Sequence, residues 1–225
     1  MSAENYFQFC ESLEKACSLA GRKIADIKVL PVSKSHSEEK IAEHLALKNF
    51  PHELGENYFD ELVRKSQSVI LKNVSWHYLG ALQSRKIPQL LNVASVLHAV
   101  SREKELSLIA KEKSSQTKFF IQVNISNEEQ KQGVDPSELP LLLEGVAKHS
   151  LEKRFLGFMG MASDLDKVGA AIVQQQFSAL RSLRDKFCPQ KLLNMGMSGD
   201  YSLAIQEGSD LIRVGTLIFG ERRYT

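Results

Sequence analysis

Residues 192–215 read LLNMGMSGDYSLAIQEGSDLIRVG, and this stretch decides the fold. Two short apolar runs, 192–195 and 211–214, have the character of buried strands. The segment between them opens with a glycine-rich turn and continues with helix-forming residues. A strand, a helix and a second strand in this order predict a parallel pair joined by a right-handed crossover.

The same alternation continues towards the N-terminus. We predict eight strands, at 29–33, 51–54, 75–80, 96–100, 119–125, 155–161, 192–195 and 211–214. Helices are predicted at 57–70, 101–113, 135–149 and 167–187, and an extra helix precedes the first strand and ends at Gly21. We expect Asp135 to cap the helix that follows the fifth strand. Eight such units predict an α/β fold, a single (β/α)8 TIM-type barrel formed by residues 1–225 as one domain.

The composition excludes several classes of protein. A net charge of +2, with basic residues scattered among acidic ones, argues against nucleic acid and membrane surfaces as partners. Three cysteines without a CxxC pair do not form a disulfide framework. Because the chain shows neither a signal peptide nor an apolar run of about 20 residues, we expect a cytoplasmic protein. Zinc, Walker, GxGxxG and GxSxG motifs are absent from the sequence, and EEQKQGVD at 128–135 is predicted to be a solvated loop.

The loops after the last two strands have the composition of a phosphate site. In β/α barrels the active site lies at the carboxyl ends of the strands, and phosphate often binds after strands seven and eight. Glycine at these places lets the backbone approach an anion, and hydroxyl groups can donate to it. We also expect free amides at the start of the DYSLAI helix, 200–205, to face the ligand. The residues concerned are Gly196, Ser198, Gly199, Gly215 and Thr216.

Lys34 follows the first predicted strand, in KVLPVSKSHSEEK at 28–40. An isolated lysine at a strand end is most often solvated, but at a barrel mouth facing a phosphate site it is a candidate nucleophile. A desolvated lysine with a lowered pKa forms a Schiff base with an aldehyde. Pyridoxal 5′-phosphate (PLP) carries both an aldehyde and a phosphate, so it would occupy both features.

Three further polar residues each have two interpretations. Arg213, if it points inward, could oppose protonation of a pyridine nitrogen, or it could pair with a phosphate or carboxylate. Asn57 could bind a ligand oxygen or cap the helix that follows it, and unaided the cap is the better interpretation. His77 alternates with core residues on the third strand, and a neutral structural histidine is expected there.

The assembled motifs resemble the pyridoxal phosphate homeostasis protein family, small PLP-binding proteins that are similar to the N-terminal barrel of alanine racemase. The resemblance runs from about Lys28 to Tyr224, and its last stretch is the most specific. It is carried by VSKSHSEEKI, GENYFDEL, WHYLGALQSRK, LHAVSREKEL, FFIQVNISNEEQKQGV, FLGFMGMAS and LNMGMSGDYSLAIQEGSDLIRVGTLIFGERRY. The resemblance implies Lys34 as the Schiff-base lysine, Arg213 at the pyridine nitrogen and Asn57 near the ring. It further implies Ser198, Gly199, Gly215 and Thr216 around the phosphate.

This chain departs from the family pattern at three places. Ala81 stands where the family usually has histidine, Arg85 where it has asparagine, and FMGMAS, which contains Ala162, replaces an ending with proline. We expect these changes to spare Lys34 and the phosphate positions. The resemblance therefore implies no contact for the third-strand exit or for the loop at Ala162.

Three functions stay open from the sequence. The first is a non-enzymatic PLP carrier, a monomer that supplies PLP-dependent apoenzymes. The second is a PLP-dependent amino-acid racemase or related enzyme with weak activity. A two-base racemase needs an acid/base group on each face of the substrate, and Lys34 could serve only one. In alanine racemase a C-terminal domain supplies the other, and we expect that domain to be absent here. The third is a lysine-dependent aldolase acting on a sugar phosphate.

Overall fold

The computed structural model describes residues 2–126, 128 and 132–221, which form a β-barrel surrounded by helices. Its strands are β1 (Lys28–Pro31), β2 (Glu53–Glu56), β3 (Ser75–Tyr78), β4 (Val96–Val100), β5 (Lys118–Val123), β6 (Phe155–Gly160), β7 (Leu192–Asn194) and β8 (Leu211–Val214). The strands are parallel and follow the order β1-β8-β7-β6-β5-β4-β3-β2. A backbone bridge between Val32 and Gly55 joins the end of β1 to β2 and closes the barrel. The predicted barrel is confirmed.

The strand predictions differ from the structure mainly at β2. This strand covers Glu53–Glu56, two residues later than the predicted 51–54. Two glutamates interrupt its apolar pattern, and both are held by cations or histidine inside the fold: Glu53 contacts His77, and Glu56 pairs with Lys65. The predicted bounds of β4 and β8 agree with the structure.

Ten α-helices lie in the described part of the chain. They are α1 (Ser2–Leu19), α2 (Glu38–Leu45), α3 (Phe59–Ser66), α4 (Ile87–Val93), α5 (Glu103–Lys111), α6 (Leu139–Lys148), α7 (Leu165–Val168), α8 (Ala170–Phe187), α9 (Tyr201–Gln206) and α10 (Thr216–Phe219). Helix α1 is the predicted extra helix. It packs against α9 and α10, and the ring of Phe9 lies 5.7 Å from that of Tyr201. None of these helices is long and apolar enough to cross a membrane.

Two helix predictions are wrong in their bounds. The helix after β5 begins at Leu139, so Asp135 does not cap it. The carboxylate of Asp135 instead accepts a hydrogen bond of 2.8 Å from the amide of Ser137, which forms a separate turn. The predicted helix at 167–187 is divided into α7 and α8 by Gly169, whose φ of +81° lies outside the helical region. The predicted solvated loop at 128–135 lies in part outside the described residues.

The core has two layers, as a closed barrel requires. Between the strands and the helices lies a large apolar layer that includes Trp76 and Tyr78. Inside the barrel a smaller cluster is formed by Leu30, Val96, Phe120, Met159 and Leu211. Cys10, Cys17 and Cys188 are free thiols.

Candidate functional site

A cavity of about 260 Å³ opens at the carboxyl ends of the strands. This is near the lower end of the volume range of small-molecule sites, about 300 Å³ and upward. The structure brings all seven predicted site residues to its wall. The lining residues are Val32, Lys34, His36, Asn57, Leu79, Met159, Met161, Met197, Ser198, Gly199, Arg213, Gly215 and Thr216. They come from the ends of six different strands, so the closed barrel is what assembles them.

Lys34 lies on a turn that is fixed on both sides. Before it, Ser33 is fully buried, and its amide donates a hydrogen bond of 2.9 Å to the carbonyl of Gly55. After it, Ser35 has a φ of +61°, an uncommon conformation for a residue with a side chain. The amide of Ser35 donates to the carboxylate of Glu61 at 3.1 Å. These contacts fix the direction in which the Lys34 side chain leaves β1.

A buried ion cluster of Lys65, Glu56 and Glu61 supports this turn. The ammonium of Lys65, which has no exposed surface, donates to Glu56 at 2.6 Å and to Glu61 at 2.8 Å. Its third hydrogen bond, of 2.8 Å, goes to the carbonyl of Ser33. The other oxygen of Glu56 accepts the amide of Asn57 at 2.8 Å. One buried lysine therefore ties together the backbone beside Lys34 and the backbone of Asn57.

The two carboxylates of the cluster have opposite pKa shifts. Burial raises the pKa of Glu56, although its ion pair with Lys65 acts in the other direction. Glu61 is partly exposed. Desolvation acts to raise its pKa, but the hydrogen bond and charge of Lys65 prevail and lower it. Lys65 therefore balances the charge of Glu56, which would otherwise be buried in the barrel wall without a cation.

The side chain of Asn57 does not cap a helix. Tyr58 occupies the N-cap position of α3, which has no side-chain capping bond. The Oδ1 atom of Asn57 is buried and accepts no hydrogen bond within the described part of the chain. Buried polar atoms are nearly always paired, so this oxygen at the cavity wall is suited to a donor on a ligand. The cap interpretation is wrong.

The loops after β7 and β8 meet across the cavity. The hydroxyl of Ser198 accepts a hydrogen bond of 3.3 Å from the amide of Gly215. The amides of Ser198, Gly199 and Thr216 donate to no acceptor among the described residues. A Cβ built on Gly199 would meet no atom within 4 Å, so the space beside this residue is open. These free donors, together with the hydroxyl of Thr216, are suited to an anion.

Two of the amides expected in the anion site are already paired. The amides of Asp200 and Tyr201, at the start of α9, turn back to the carbonyl of Met197 at 3.1 and 2.9 Å. The carboxylate of Asp200 accepts the amide of Met197 at 2.6 Å and closes this turn. These two amides are therefore not available to a ligand.

Arg213 points into the barrel from β8 and is 5% exposed. Its Nη1 donates to the backbone carbonyl of Asn194 at 3.1 Å and to the side-chain oxygen of the same residue. Its Nη2 donates to the carbonyl of Gly160 at 3.2 Å. Burial lowers the pKa of Arg213 to about 10, so the guanidinium keeps its charge at neutral pH. Arg213 thus brings a fixed cation to the cavity, held by neutral acceptors.

The sequence predictions missed several lining residues. His36 lies two residues after Lys34, is 8% exposed, and packs on Phe219 with 5.1 Å between ring centroids. Its position in the loop SKSHS was the available signal. Met159 and Met161 alternate along β6 and its exit, so both face the cavity. Apart from Lys34, His36 and Arg213, the titratable groups among the described residues lie away from the wall.

The three departures from the family pattern lie outside this wall. Ala81 lines a separate cavity with Arg102 and Glu105, and Arg85 is exposed. Ala162 is buried beside a neighbouring surface cavity. The expectation that these changes spare Lys34 and the two loops agrees with their positions.

Comparison with known sequences gives full-length relatives. The family model of the alanine racemase N-terminal domain matches residues 11–223. A curated protein of Aquifex aeolicus, named Pyridoxal phosphate homeostasis protein, is 33% identical, and the alignment covers 99% of both chains. The protein of the same name from Escherichia coli K12 is 30% identical, with 99% of this chain and 97% of that protein covered.

Solved structures with the same fold include PipY of Synechococcus elongatus with PLP bound. It is 28% identical, the TM-score is 0.70, and the match covers 92% of this chain and 99% of that one. Alanine racemase from Oenococcus oeni is 18% identical with a TM-score of 0.66, covering 93% of this chain and 61% of that one. This second likeness concerns the fold alone.

Proposed function

The chain belongs to the alanine racemase N-terminal domain family and, within it, to the pyridoxal phosphate homeostasis proteins, and from this premise we propose that it holds PLP as a Schiff base on Lys34. We propose that it serves PLP homeostasis as a buffer or carrier that supplies apoenzymes, without robust catalysis of its own. One observation carries the proposal: a single cavity collects Lys34, Arg213 and both anion-suited loops.

The residues of the cavity fit the chemical groups of PLP. The free amides of Ser198, Gly199 and Thr216 match a phosphate, which needs several donors from a narrow range of directions. The buried Oδ1 of Asn57 has no donor among the described residues, and the ring hydroxyl of PLP would provide one. The methionine side chains of the wall suit the apolar faces of the ring.

Lys34 has the role of a reversible tether. The neutral amine of Lys34 would hold the aldehyde carbon of PLP through a C=N bond, with the aldehyde oxygen released as water together with the two amine hydrogens. Hydrolysis reverses the step and returns the free amine and the aldehyde. Since the same residue can hold and release PLP, its chemistry suits a carrier.

Arg213 supports the carrier over an enzyme. PLP supplies catalysis by withdrawing electrons into its ring, and protonation of the pyridine nitrogen strengthens this effect. A permanent cation beside the nitrogen opposes that protonation. Arg213 keeps its charge at neutral pH, since its pKa is about 10. A ring facing Arg213 would therefore be a weak electron sink.

His36 is the residue through which weak catalysis could enter. A two-base racemase requires a second acid/base group besides Lys34. His36 carries the one imidazole in the described part of the cavity wall. It lies on the same loop after β1 as Lys34, and its ring packs on Phe219. Because His36 and Lys34 lie on one loop, we expect both side chains to face the same side of the PLP ring. The carrier is therefore the better supported function. A one-domain organisation over 1–225, a monomeric state and the identity of the receiving apoenzymes stay predictions.

The visible absorption spectrum tests the proposal. PLP added to the purified protein should give a yellow complex with an imine band. The Lys34→Ala variant should lose that band, whereas Lys48→Ala, a change at an exposed lysine, should keep it. A wild-type protein that stays colourless would contradict PLP binding and favour the aldolase. An imine band that survives in Lys34→Ala would contradict Lys34 as the tether.

Exchange of amino-acid α-protons separates a carrier from an enzyme. The PLP-loaded protein is incubated in heavy water with a panel of L- and D-amino acids, and deuterium incorporation is followed by NMR. We expect exchange little above that of free PLP. Rapid exchange that disappears in Lys34→Ala would show an enzyme, and its loss in His36→Gln would identify the second base.

A further inference from the structure

A chain of polar side chains in close contact runs through the barrel interior from Arg213 to the opposite mouth. We call its four side chains, Asn194, His98, His77 and Glu53, the interior relay. Nδ2 of Asn194 lies 2.7 Å from Nδ1 of His98. Nε2 of His98 lies 2.9 Å from Nδ1 of His77, whose Nε2 lies 3.0 Å from the carboxylate of Glu53. The relay thus joins Arg213, at the wall of the cavity with Lys34, to Glu53 at the amino ends of the strands.

The relay is shielded from water along most of its length. Asn194 and His98 have no exposed surface, and His77 is 2% exposed. The ring of Phe120 packs beside His98 with centroids 5.1 Å apart. Glu53 is partly exposed at the rim of a second cavity of about 480 Å³. Only this end of the relay can exchange readily with solvent.

Arg213 sets the direction of every hydrogen bond in the relay. Its guanidinium can only donate, so Asn194 must turn Oδ1 towards it. The amide of Asn194 therefore donates Nδ2–H to His98, whose Nδ1 accepts. Neutral His98 then carries its proton on Nε2 and donates to Nδ1 of His77. His77 then carries its own proton on Nε2, 3.0 Å from the carboxylate of Glu53, a group that can only accept.

Counting protons along the relay leaves both histidines neutral. The relay contains three contacts, and each needs one proton. If both ends were acceptors, the two imidazoles would have to carry all three protons. Asn194 supplies one of the three from its own amide. Two protons remain for the two imidazoles, one on each Nε2. Burial lowers the pKa of both His98 and His77, in keeping with neutral rings. The charged groups facing the pair are Lys28 on β1, Glu53 on β2 and Arg213 on β8, with Lys118 of β5 at the same mouth.

We propose that Asn194 is a positioning residue for Arg213, and that Glu53 acts through His77 and His98 to fix the orientation of its amide. Both ends of the relay demand the same direction, since Arg213 only donates and the Glu53 carboxylate only accepts. A reversed amide would set NH₂ against the guanidinium and break the bond to Arg213. The proposal rests on the proposed function in taking Arg213 as the cation that faces PLP.

Asn194→Asp tests the relay, because it changes the proton count without changing the shape. The carboxylate of this variant would accept from both Arg213 and His98, so Nδ1 of His98 would need a proton. With an acceptor at each end, three protons are required on two imidazoles. One histidine of the pair must then become a cation. An opposite charge at hydrogen-bond distance raises the pKa of a histidine by about 1–3 pH units, and in this variant the histidine pair would have a carboxylate at each end.

Nitrogen-15 NMR of histidine-labelled protein without PLP provides the readout. In the wild type, His77 and His98 should be neutral Nε2–H tautomers that do not titrate between pH 6 and 9; His77→Phe and His98→Phe assign their signals. In Asn194→Asp the pair should hold one extra proton at pH 7. Asn73→Asp, the same change at an exposed position, should leave both rings neutral. An Nδ1–H tautomer in the wild type, or a neutral pair in Asn194→Asp, would overturn the relay.

Arginine NMR tests whether Asn194 positions Arg213. The Nη–H signals of Arg213 should exchange slowly in the wild type and be lost in Asn194→Leu, which removes the amide at similar volume. Those of Arg154, which donates to the carbonyls of Thr117 and Ile109, should persist in both proteins. Retention of the Arg213 signals in Asn194→Leu would refute the positioning role. PLP affinity, measured on the same samples, should fall about tenfold in this variant.

These readouts keep the two proposals apart. A wild-type protein that does not bind PLP would end the proposed function, and the NMR of the unloaded protein would still decide the relay. Unchanged PLP affinity in Asn194→Leu, combined with loss of the Arg213 signals, would overturn the contact between Arg213 and PLP on which the inference rests.

Discussion

Lys65→Met removes one ammonium from the buried ion cluster and keeps a side chain of similar length. Lys65 and Glu56 have no exposed surface and lie 2.6 Å apart. The variant therefore leaves a buried carboxylate without its cation and leaves the carbonyl of Ser33 without its donor. Breaking a buried pair in this way costs about 3–5 kcal/mol. Domain stabilities are about 5–15 kcal/mol, so about a fifth or more of the total is at risk.

Urea unfolding of the unloaded protein at pH 8 measures this loss. The transition midpoint should fall by about 2 M for a loss of this size. The double variant Lys65→Met/Glu56→Gln removes the uncompensated charge and should recover at least half of the stability. Lys72→Met, at an exposed lysine, is the matched control and should lie within about 0.5 kcal/mol of the wild type.

The pH dependence of the loss gives a second check. Burial already raises the pKa of Glu56 in the wild type, and removing Lys65 raises it further. A carboxyl group with a raised folded-state pKa binds its proton more tightly in the folded protein. Protonation therefore stabilises the variant as the pH falls through that pKa, and the loss should shrink between pH 8 and pH 5. A loss under about 1 kcal/mol at pH 8, or a double variant as unstable as the single one, would refute the reasoning.

Three shorter predictions concern the two mouths of the barrel. Gly199→Ala should fold normally but bind PLP more weakly by isothermal titration, because its Cβ enters open cavity space; Gly196→Ala should instead lower the thermal midpoint, since Gly196 has a φ of +98° and its Cβ would lie 2.7 Å from that of Ala204. His36→Gln should leave the imine band intact, and loss of the band would assign His36 a part in binding. In Glu53→Gln, the free energy of unfolding should fall less steeply than in the wild type as the pH is lowered towards 2. The close contact with His77 lowers the pKa of Glu53 to about 2, so its contribution is present above pH 4.5 and is lost as the pH falls towards 2. Equal acid sensitivity in the variant and the wild type would contradict this last assignment.

The strand count and the two anion-suited loops could be predicted because their signals are local. Each buried strand is a short apolar run, and the barrel rule assigns the loops after β7 and β8 to one mouth. Lys34 could be placed there for the same reason. The prediction for Asn57 from residues alone was wrong, since a cap and a ligand contact have the same sequence signature. The burial of its Oδ1 separates the two.

The buried ion cluster and the interior relay could not be predicted. Lys65 lies on a short amphipathic helix, where a lysine normally indicates a solvated face, and its partner Glu56 belongs to the preceding strand. His77 and His98 come from different strands, and only the register of β3 and β4 brings their rings together. Such contacts depend on which side chains point into a closed barrel, which strand periodicity does not reveal.

The mass of the Lys34 peptide after borohydride reduction tests the central claim most directly. The PLP-loaded protein is reduced, digested and analysed by mass spectrometry, with unloaded protein treated in parallel. A reversible tether on Lys34 predicts one reduced pyridoxal adduct on the peptide that contains Lys34, and an unmodified peptide in the unloaded sample. An adduct on another lysine, or no adduct in a protein that has bound PLP, would contradict the account.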